Sequence, residues 1–459
     1  MQNKEKCAIL NRILYLSTTH PYDIHRIERN MNHIHLHEDF PTLPGLRARA
    51  VIDTDAIIRN YHALLDPVRR VSPHTIPIAV VKADAYGHGI RPVVGALLGE
   101  GCRFFAVACL EEAVALRRLL RELTEEPDAA TDILILGYSA PENAAILARY
   151  GVTATLISED YTNRLLAYAR TEGVSVKVHA ALDTGMNRIG YPAHDEASIA
   201  DTVEALAALF GGEGEGYLIP DGLFTHFARA DEDYHTEMTT PDSMTMTQYA
   251  RYRRVMEGLS ARGIRPRLCH VCNSAAAIRF PGALPEGCLD AVRLGINLYG
   301  YGVDFPQTTG TTSEADRHTQ PVMRLETVVT HIHTLRPGDT VGYGGTFSAA
   351  EERTLATLPV GYADGWIRDF SGATVTFHTP DGDVTAPIVG RICMDQCMAD
   401  VTGLPVTVGC HVTLFGQTSE ELEALARRAN TITYELLCLI TARIPRVYRN
   451  AECGVQNAE

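Results

Sequence analysis

The chain has 459 residues and is 46% apolar, enough to bury one large domain and a smaller one. Its formal net charge of −15 argues against nucleic acid or an anionic membrane as the main partner. The same number does not exclude a small anionic ligand, because local charge decides that.

Eleven cysteines, an odd number scattered through apolar runs, point to reduced thiols in the cytoplasm and not to a disulfide framework. The apolar run 7–10, resumed at 13–16, follows Lys4 and Lys6 but is broken by Asn11-Arg12. It lacks a small-residue cleavage site and is too short to span a bilayer. Residues 1–45 are read as an N-terminal extension, with disorder and a true start at Met31 both open.

From residue 46 to 314, short apolar runs alternate with helical patterns. The runs are 77–82, 104–109, 132–136, 152–157, 174–182, 218–225, 267–272 and 291–294. Most are rich in Val, Ile or Leu and bounded by turn residues, as expected of strands buried on both faces of a parallel sheet. Between them, 111–123, 142–150, 160–172, 196–210 and 248–262 carry apolar residues at helical spacing. Eight such units in about 250 residues predict a (β/α)8 TIM-type barrel. An open doubly wound sheet would carry a Gly-rich turn after its first strand, and Lys82-Ala83-Asp84-Ala85-Tyr86 is not one.

The pattern changes near residue 310, after the polar loop 307–312. Short alternating segments follow at 328–335, 354–358, 374–378, 383–389 and 411–414, with Pro380-Asp381-Gly382 as a hairpin turn and one helix at 419–429. A mostly β C-terminal domain is expected over 315–450, with 451–459 as a tail.

In a barrel, residues just past the strands' C-terminal ends face the active-site mouth. Those positions hold Lys82 with Tyr86, then Asp183 to Arg188, then Thr225-His226, Asn273-Ser274, and Arg293-Leu294-Gly295-Ile296. Taken singly, each has an ordinary explanation: a solvated lysine, a rim histidine, an arginine paired with a carboxylate. Together they suit one anionic aromatic cofactor. Ser274 and the amides near Gly295 could hold a phosphate, His226 could buttress a ring, and Lys82, the one lysine among these positions, could form an imine.

The run Ala79-Val80-Val81-Lys82-Ala83-Asp84-Ala85-Tyr86-Gly87-His88-Gly89 resembles the cofactor-lysine motif of alanine racemases. The resemblance continues in order through 183–190, 223–231, 270–276, 292–299, 341–347, 358–368, 390–400 and 433–448, so it covers roughly residues 47–450. It implies a pyridoxal 5'-phosphate enzyme that interconverts L- and D-alanine, supplying D-alanine for peptidoglycan. It also implies a homodimer with shared active sites.

On that resemblance Lys82 carries the cofactor as a Schiff base and is one base, and Tyr343, reaching the mouth of the other subunit, is the opposing base. Arg188 would bond the cofactor's phenolic oxygen and the substrate carboxylate. Met394, with Asp395 beside it, would bind that carboxylate across the dimer interface. Tyr86, Ser274, Gly295, Ile296 and Tyr434 would hold the phosphate, and Tyr362 looks like a gate tyrosine. Arg293 would face the pyridine nitrogen, where a permanent cation disfavours protonation and so suppresses transamination. A lysine and a tyrosine both titrate near 10 when free, so each base must be shifted down or used in a small deprotonated fraction; for Tyr343 the expected lever is His226 bonded to Arg293.

One position departs from the pattern. Many family members carry a carbamylated lysine seven residues before this arginine; here it is Ala181. Lys177 has the right strand parity but lies about 13 Å further along the strand and cannot substitute.

No metal is expected. The alternating His33, His35 and His37, the pair His331 and His333, and the spacing Cys269-His270-Val271-Cys272 are read as ordinary surface and core residues. The Gly-rich segment 211–216 is acidic, lacks the Lys-Ser/Thr of a nucleotide loop and is read as a flexible loop. The alternatives are a serine or broader small amino-acid racemase, a pyridoxal-phosphate decarboxylase of the same architecture, and a non-catalytic cofactor-binding protein.

Overall fold

The computed structural model describes residues 46–124, 131–213, 216–233, 236–237, 240–279, 290–302, 319–450 and 454–456. The expected N-terminal extension with His33, His35 and His37, and the polar loop 307–312, lie outside the described residues.

After a first strand, β1 (Ala48–Asp53), and an amphipathic helix, α1 (Thr54–Val71), eight parallel strands follow. They are β2 (Ile76–Val80), β3 (Phe104–Val107), β4 (Asp132–Ile135), β5 (Val152–Leu156), β6 (Val176–Asp183), β7 (Leu218–Thr225), β8 (Leu268–His270) and β9 (Ala291–Leu294). Their order is β9-β2-β3-β4-β5-β6-β7-β8, so the ring lacks only one seam. There the Arg293 amide donates to the Cys272 carbonyl at 3.0 Å, which nearly closes the barrel. All eight expected strands are present. Phe104–Val107 and Val152–Leu156 are buried along their whole length, which is why they read as unbroken apolar runs.

The five expected barrel helices are also present, with shifted ends, at Leu110–Leu123, Ala144–Arg149, Glu159–Glu172, Glu196–Ala208 and Met244–Ser260. α1 and a helix at Ile90–Gly99 come in addition. α1 is capped by the Asp53 side chain, which accepts the Ala56 amide at 2.8 Å.

The second sheet has ten strands. They are β10 (Met323–Val328), β11 (His331–Leu335), β12 (Arg353–Leu358), β13 (Thr374–Thr379), β14 (Gly382–Val389), β15 (Cys397–Asp400), β16 (His411–Phe415), β17 (Arg446–Asn450) and β18 (Gly454–Gln456), with β1 among them. Their order is β11-β12-β15-β14-β13-β16-β10-β1-β17-β18. The hairpin expected at Pro380-Asp381-Gly382 joins β13 to β14, with Thr379 opposite Gly382.

Two features differ from the sequence reading. The single segment 328–335 is two strands, because Val329 and Thr330 hand the chain from the β1/β16 neighbourhood to β12. β1, which precedes the barrel in sequence, is built into the second sheet, antiparallel to β10 and parallel to β17. Buried Asn60 of α1 stitches the two parts together. Its Nδ2 donates to the carbonyls of Leu298 (3.0 Å) and Gln320 (2.8 Å), and its Oδ1 accepts the Gln320 amide at 2.7 Å.

No helix among the described residues is long and apolar enough to cross a membrane. None of the described cysteines, Cys269 and Cys272 included, is joined in a disulfide.

Candidate active site

A cavity of about 590 Å³ opens at the C-terminal mouth of the barrel. Lys82, Tyr86, Arg188, His226, Ser274, Arg293, Gly295, Ile296 and Tyr434 all line it. These are the nine positions expected to hold the cofactor.

Lys82 follows β2 at the start of an unusual turn. Ala83, Asp84, Ala85 and Tyr86 have φ of 52°, 52°, 53° and 54°, a left-handed helical turn made without glycine. Such a turn costs roughly 1–2 kcal/mol per residue. The surroundings impose it. Glu112 accepts the Ala83 amide at 2.7 Å, and Asp84 Oδ1 accepts the Ile90 amide at 2.8 Å. His88 Nδ1 bonds the carbonyls of Ala85 and Tyr86 at 3.0 Å each, and Arg446 Nε donates to the Gly87 carbonyl at 3.0 Å. Burial, and then the Arg188 guanidinium, hold the Lys82 ammonium below its usual pKa, while Glu112 acts the other way. A lysine so placed spends more time as the free base.

On the facing side Ser274 Oγ accepts the Gly295 amide at 2.6 Å. A Cβ at Gly295 would stand 3.2 Å from Ser274 Oγ and 3.4 Å from Tyr86 Oη, so only glycine lets a ligand approach these hydroxyls against bare backbone. Burial raises the pKa of Tyr86 and of Tyr434, which leaves neutral hydroxyl donors suited to an anion.

Arg293 is 3% exposed and anchored on every side. Nη1 donates to His270 Nδ1 (2.7 Å) and the His270 carbonyl (2.9 Å), and Nη2 to the carbonyls of Thr225 (2.8 Å) and Val271 (3.0 Å). Its contact with His226 Nδ1 is long, at 3.5 Å. The firm histidine partner is therefore His270, whose ring stacks on Phe224 at 4.9 Å. Burial lowers the Arg293 pKa to about 10, so the group is still a cation at neutral pH. Burial and the Arg293 charge hold His226 and His270 well below the normal histidine pKa, and both are neutral.

Ala181 is buried and lines the cavity beside Leu182, on the wall that Arg188 shares. Lys177 is engaged elsewhere, with Nζ 3.0 Å from Asp132 Oδ1. Among the described residues no side chain forms a hydrogen bond or ion pair with Arg188.

The remaining expected residues lie in the second sheet's loops, and none of them lines this cavity. Tyr343 sits in a turn at Tyr343–Gly345 and is 70% exposed. Met394 and Tyr362 are also exposed. Their loops are laced together, since the Tyr362 amide donates to the Cys393 carbonyl at 3.1 Å and the Ala363 amide to the Met394 carbonyl at 3.0 Å. Asp395 accepts from Arg443 Nη2 at 2.8 Å.

Two family models cover most of the chain: the alanine racemase N-terminal domain matches residues 52–303 and the alanine racemase C-terminal domain matches 322–448. The chain belongs to the alanine racemase family. Alanine racemase 1 of Clostridium acetobutylicum is 36% identical over 411 residues, 88% of this chain and 96% of that protein. The alanine racemase of Streptomyces coelicolor superposes with a TM-score of 0.73 at 33% identity, covering 88% of this chain and 98% of that one. A histidine racemase from Leuconostoc mesenteroides superposes with a TM-score of 0.70 at 27% identity, covering 89% and 99%.

Alanine racemases depend on pyridoxal 5'-phosphate, and this cavity fits that group. The Gly295 cradle suits its phosphate, Arg293 its ring and Lys82 its aldehyde. Sequence reasoning missed two contributors. Glu112 lies inside an ordinary amphipathic helix, and nothing in its spacing marks it. His270 sits between two cysteines that drew attention instead; inward parity on a barrel strand was the available signal.

Proposed function

We propose that this alanine racemase family member interconverts L- and D-alanine by two bases on opposite faces of the substrate, Lys82 and Tyr343 of the partner subunit. The observation that carries the reading is the convergence of Lys82, Arg293 and the Gly295 cradle on one cavity. Pyridoxal phosphate, when bound, acidifies the α-proton of the amino acid joined to it.

The chain's residues then divide the work. Tyr86, Ser274, Tyr434 and the backbone at Gly295 and Ile296 hold the phosphate. Arg293, fixed by three carbonyls and His270, would stand against the cofactor's ring as a permanent cation and so disfavour a proton on its nitrogen. His226 buttresses the ring. Lys82 Nζ takes or returns the α-proton on one face and the Tyr343 hydroxyl of the partner subunit does so on the other, which inverts the centre. Arg188, with Met394 of the partner subunit, places the carboxylate; Asp395 supports that loop, and Tyr362 narrows the entrance. Dimerisation in this reading is obligatory, because Tyr343, Tyr362 and Met394 are exposed on their own protomer. The barrel is assigned to 46–314, apart from β1, and the β domain to 315–450 together with β1, which belongs to its sheet. Free cysteines agree with a cytoplasmic enzyme whose D-alanine goes to peptidoglycan.

A second reading, a racemase that also accepts serine or larger amino acids, is favoured by two observations. Arg188 has no side-chain partner among the described residues, and a histidine racemase shares the fold. Racemisation rates across L-amino acids, with Lys82→Ala as control, decide between them. Alanine turnover dominating the panel supports the first. Absence of racemisation in the parent protein, or its persistence in the control, would end both.

A further inference from the structure

Behind Arg293 and its partner His270 lies a second buried histidine, His179, that has no task in the reading above. His179 on β6 and His270 on β8 are both fully buried in the barrel interior. Four contacts join them into one line. Arg293 Nη1 lies 2.7 Å from His270 Nδ1, and His270 Nε2 lies 3.0 Å from His179 Nδ1. His179 Nε2 lies 3.4 Å from Asp221 Oδ2. Asp221 is clasped by Arg267, Nε to Oδ1 and Nη2 to Oδ2, each at 2.6 Å.

The direction of every hydrogen bond in this line is forced. A guanidinium only donates, so His270 Nδ1 must accept. Burial holds His270 and His179 below the normal histidine pKa, so each ring carries one proton. His270 therefore has its proton on Nε2 and gives it toward His179 Nδ1. His179 in turn has its proton on Nε2, aimed at the Asp221 carboxylate. Burial tends to raise the Asp221 pKa, but bonds from Arg267 and His179 outweigh it and keep the group ionised. The line thus has a cation at its upper end and a carboxylate as its terminal acceptor. Space is reserved for it: a Cβ at Gly222, next to Asp221, would lie 2.6 Å from His179 Cε1.

We infer that Asp221, midway along β7 and below the mouth, is a positioning residue for Arg293, acting through the tautomers of His179 and His270. Without an acceptor at 221, His179 can carry its proton on Nδ1. His270 must then accept at Nε2 and protonate Nδ1, which sets two donors face to face where 2.7 Å now separates donor from acceptor. Arg293 Nη1 has to give way, and the guanidinium loses its fixed place against the cofactor ring. The inference rests on the proposed role of Arg293, while the tautomer order itself does not.

The test compares Asp221→Leu with Asp221→Asn, whose side-chain carbonyl still accepts from His179. In holoenzyme labelled with ¹⁵N-histidine, NMR should show His179 and His270 as Nε2–H tautomers in the parent and in D221N, but not in D221L. D221L should lower kcat for alanine racemisation by the roughly 10- to 100-fold typical of losing a supporting hydrogen-bond partner. It should also raise the yield of pyruvate, formed as alanine gives its amino group to the cofactor aldehyde. D221N should stay close to the parent in both. If D221L does not fold, the double variant D221A/R267A removes acceptor and clasping cation together and is read the same way.

Parent-like tautomers in D221L overturn the relay. Altered tautomers with unchanged kcat and pyruvate yield overturn its link to Arg293. A parent that does not racemise, with tautomers still shifting in D221L, overturns the proposed function and leaves the relay standing.

Discussion

Glu112 accepts the Ala83 amide through one carboxylate oxygen and the Ala108 amide through the other, both at 2.7 Å. It thereby ties the left-handed turn behind Lys82 to the end of the neighbouring strand. Glu112→Gln leaves one acceptor where two are needed and removes the charge that raises the Lys82 pKa. The variant should lower kcat, and the acid limb of kcat should move to lower pH, because Lys82 then loses its proton more easily. An acid limb that stays put or moves upward would count against this role. Each lost bond is worth about 1 kcal/mol, so the fold should survive.

The phosphate cradle predicts a binding defect without a folding defect. Gly295→Ala would push a methyl to within 3.2 Å of Ser274 Oγ and 3.4 Å of Tyr86 Oη. Pyridoxal phosphate affinity, titrated by absorbance or by quenching of Trp366, should fall about tenfold, which is ~1.4 kcal/mol. Unchanged affinity would place the phosphate elsewhere.

Two opposed bases predict an asymmetric failure. Tyr343→Phe should slow removal of the α-proton from one enantiomer far more than from the other, read as exchange in deuterated solvent. Equal modest losses for both would remove Tyr343 from the role. Sharing of sites predicts complementation as well. Inactive Lys82→Ala and Tyr343→Phe proteins, unfolded together and refolded at equal concentration, should recover about a quarter of parental activity. Half the dimers are then mixed, and each mixed dimer has one intact site.

Buried histidines predict the acid side of the stability curve. His88 is fully buried, and desolvation lowers its pKa to about 3. Between pH 3 and 6.5 the unfolded chain binds a proton there that the folded chain refuses, so stability rises with pH across that window and is lost as pH falls. The slope is at most about 1.4 kcal/mol per pH unit for each such group, and His179, His226 and His270 act in the same direction. His88→Asn keeps a donor for the Ala85 and Tyr86 carbonyls and should flatten the slope by one proton. Urea titrations at pH 4 to 7 measure it, and an unchanged slope would contradict the assignment.

The barrel was legible because its strands are buried on both faces, which compresses them into dense Val/Ile/Leu/Ala runs. Two inner strands of the second sheet were not. Cys397–Asp400 and Arg446–Asn450 are short, and each takes one of its two partners from far along the chain, so no local pattern announces them. In the cavity, every position that ends a barrel strand could be read from the chain. The left-handed turn could not, because Ala83, Asp84, Ala85 and Tyr86 have no glycine among them and the conformation comes from Glu112, His88 and Arg446. Arg293 was legible but its partner was not. The expected lever, His226, is 3.5 Å away, while His270 holds the guanidinium at 2.7 Å.

β1 has a consequence for how the protein is made. Its neighbours are β10, beginning at Met323, and β17, beginning at Arg446, so one of the earliest described segments to leave the ribosome is among the last to be paired. Asn60 likewise awaits Gln320. During synthesis the apolar edge formed by Ala50 and Ile52 stays unsatisfied while the barrel strands assemble behind it, and an unpaired edge of that kind invites association with other chains. A translation product released before residue 323 leaves β1 without either neighbour, and should be found in the aggregated fraction and not as a free barrel.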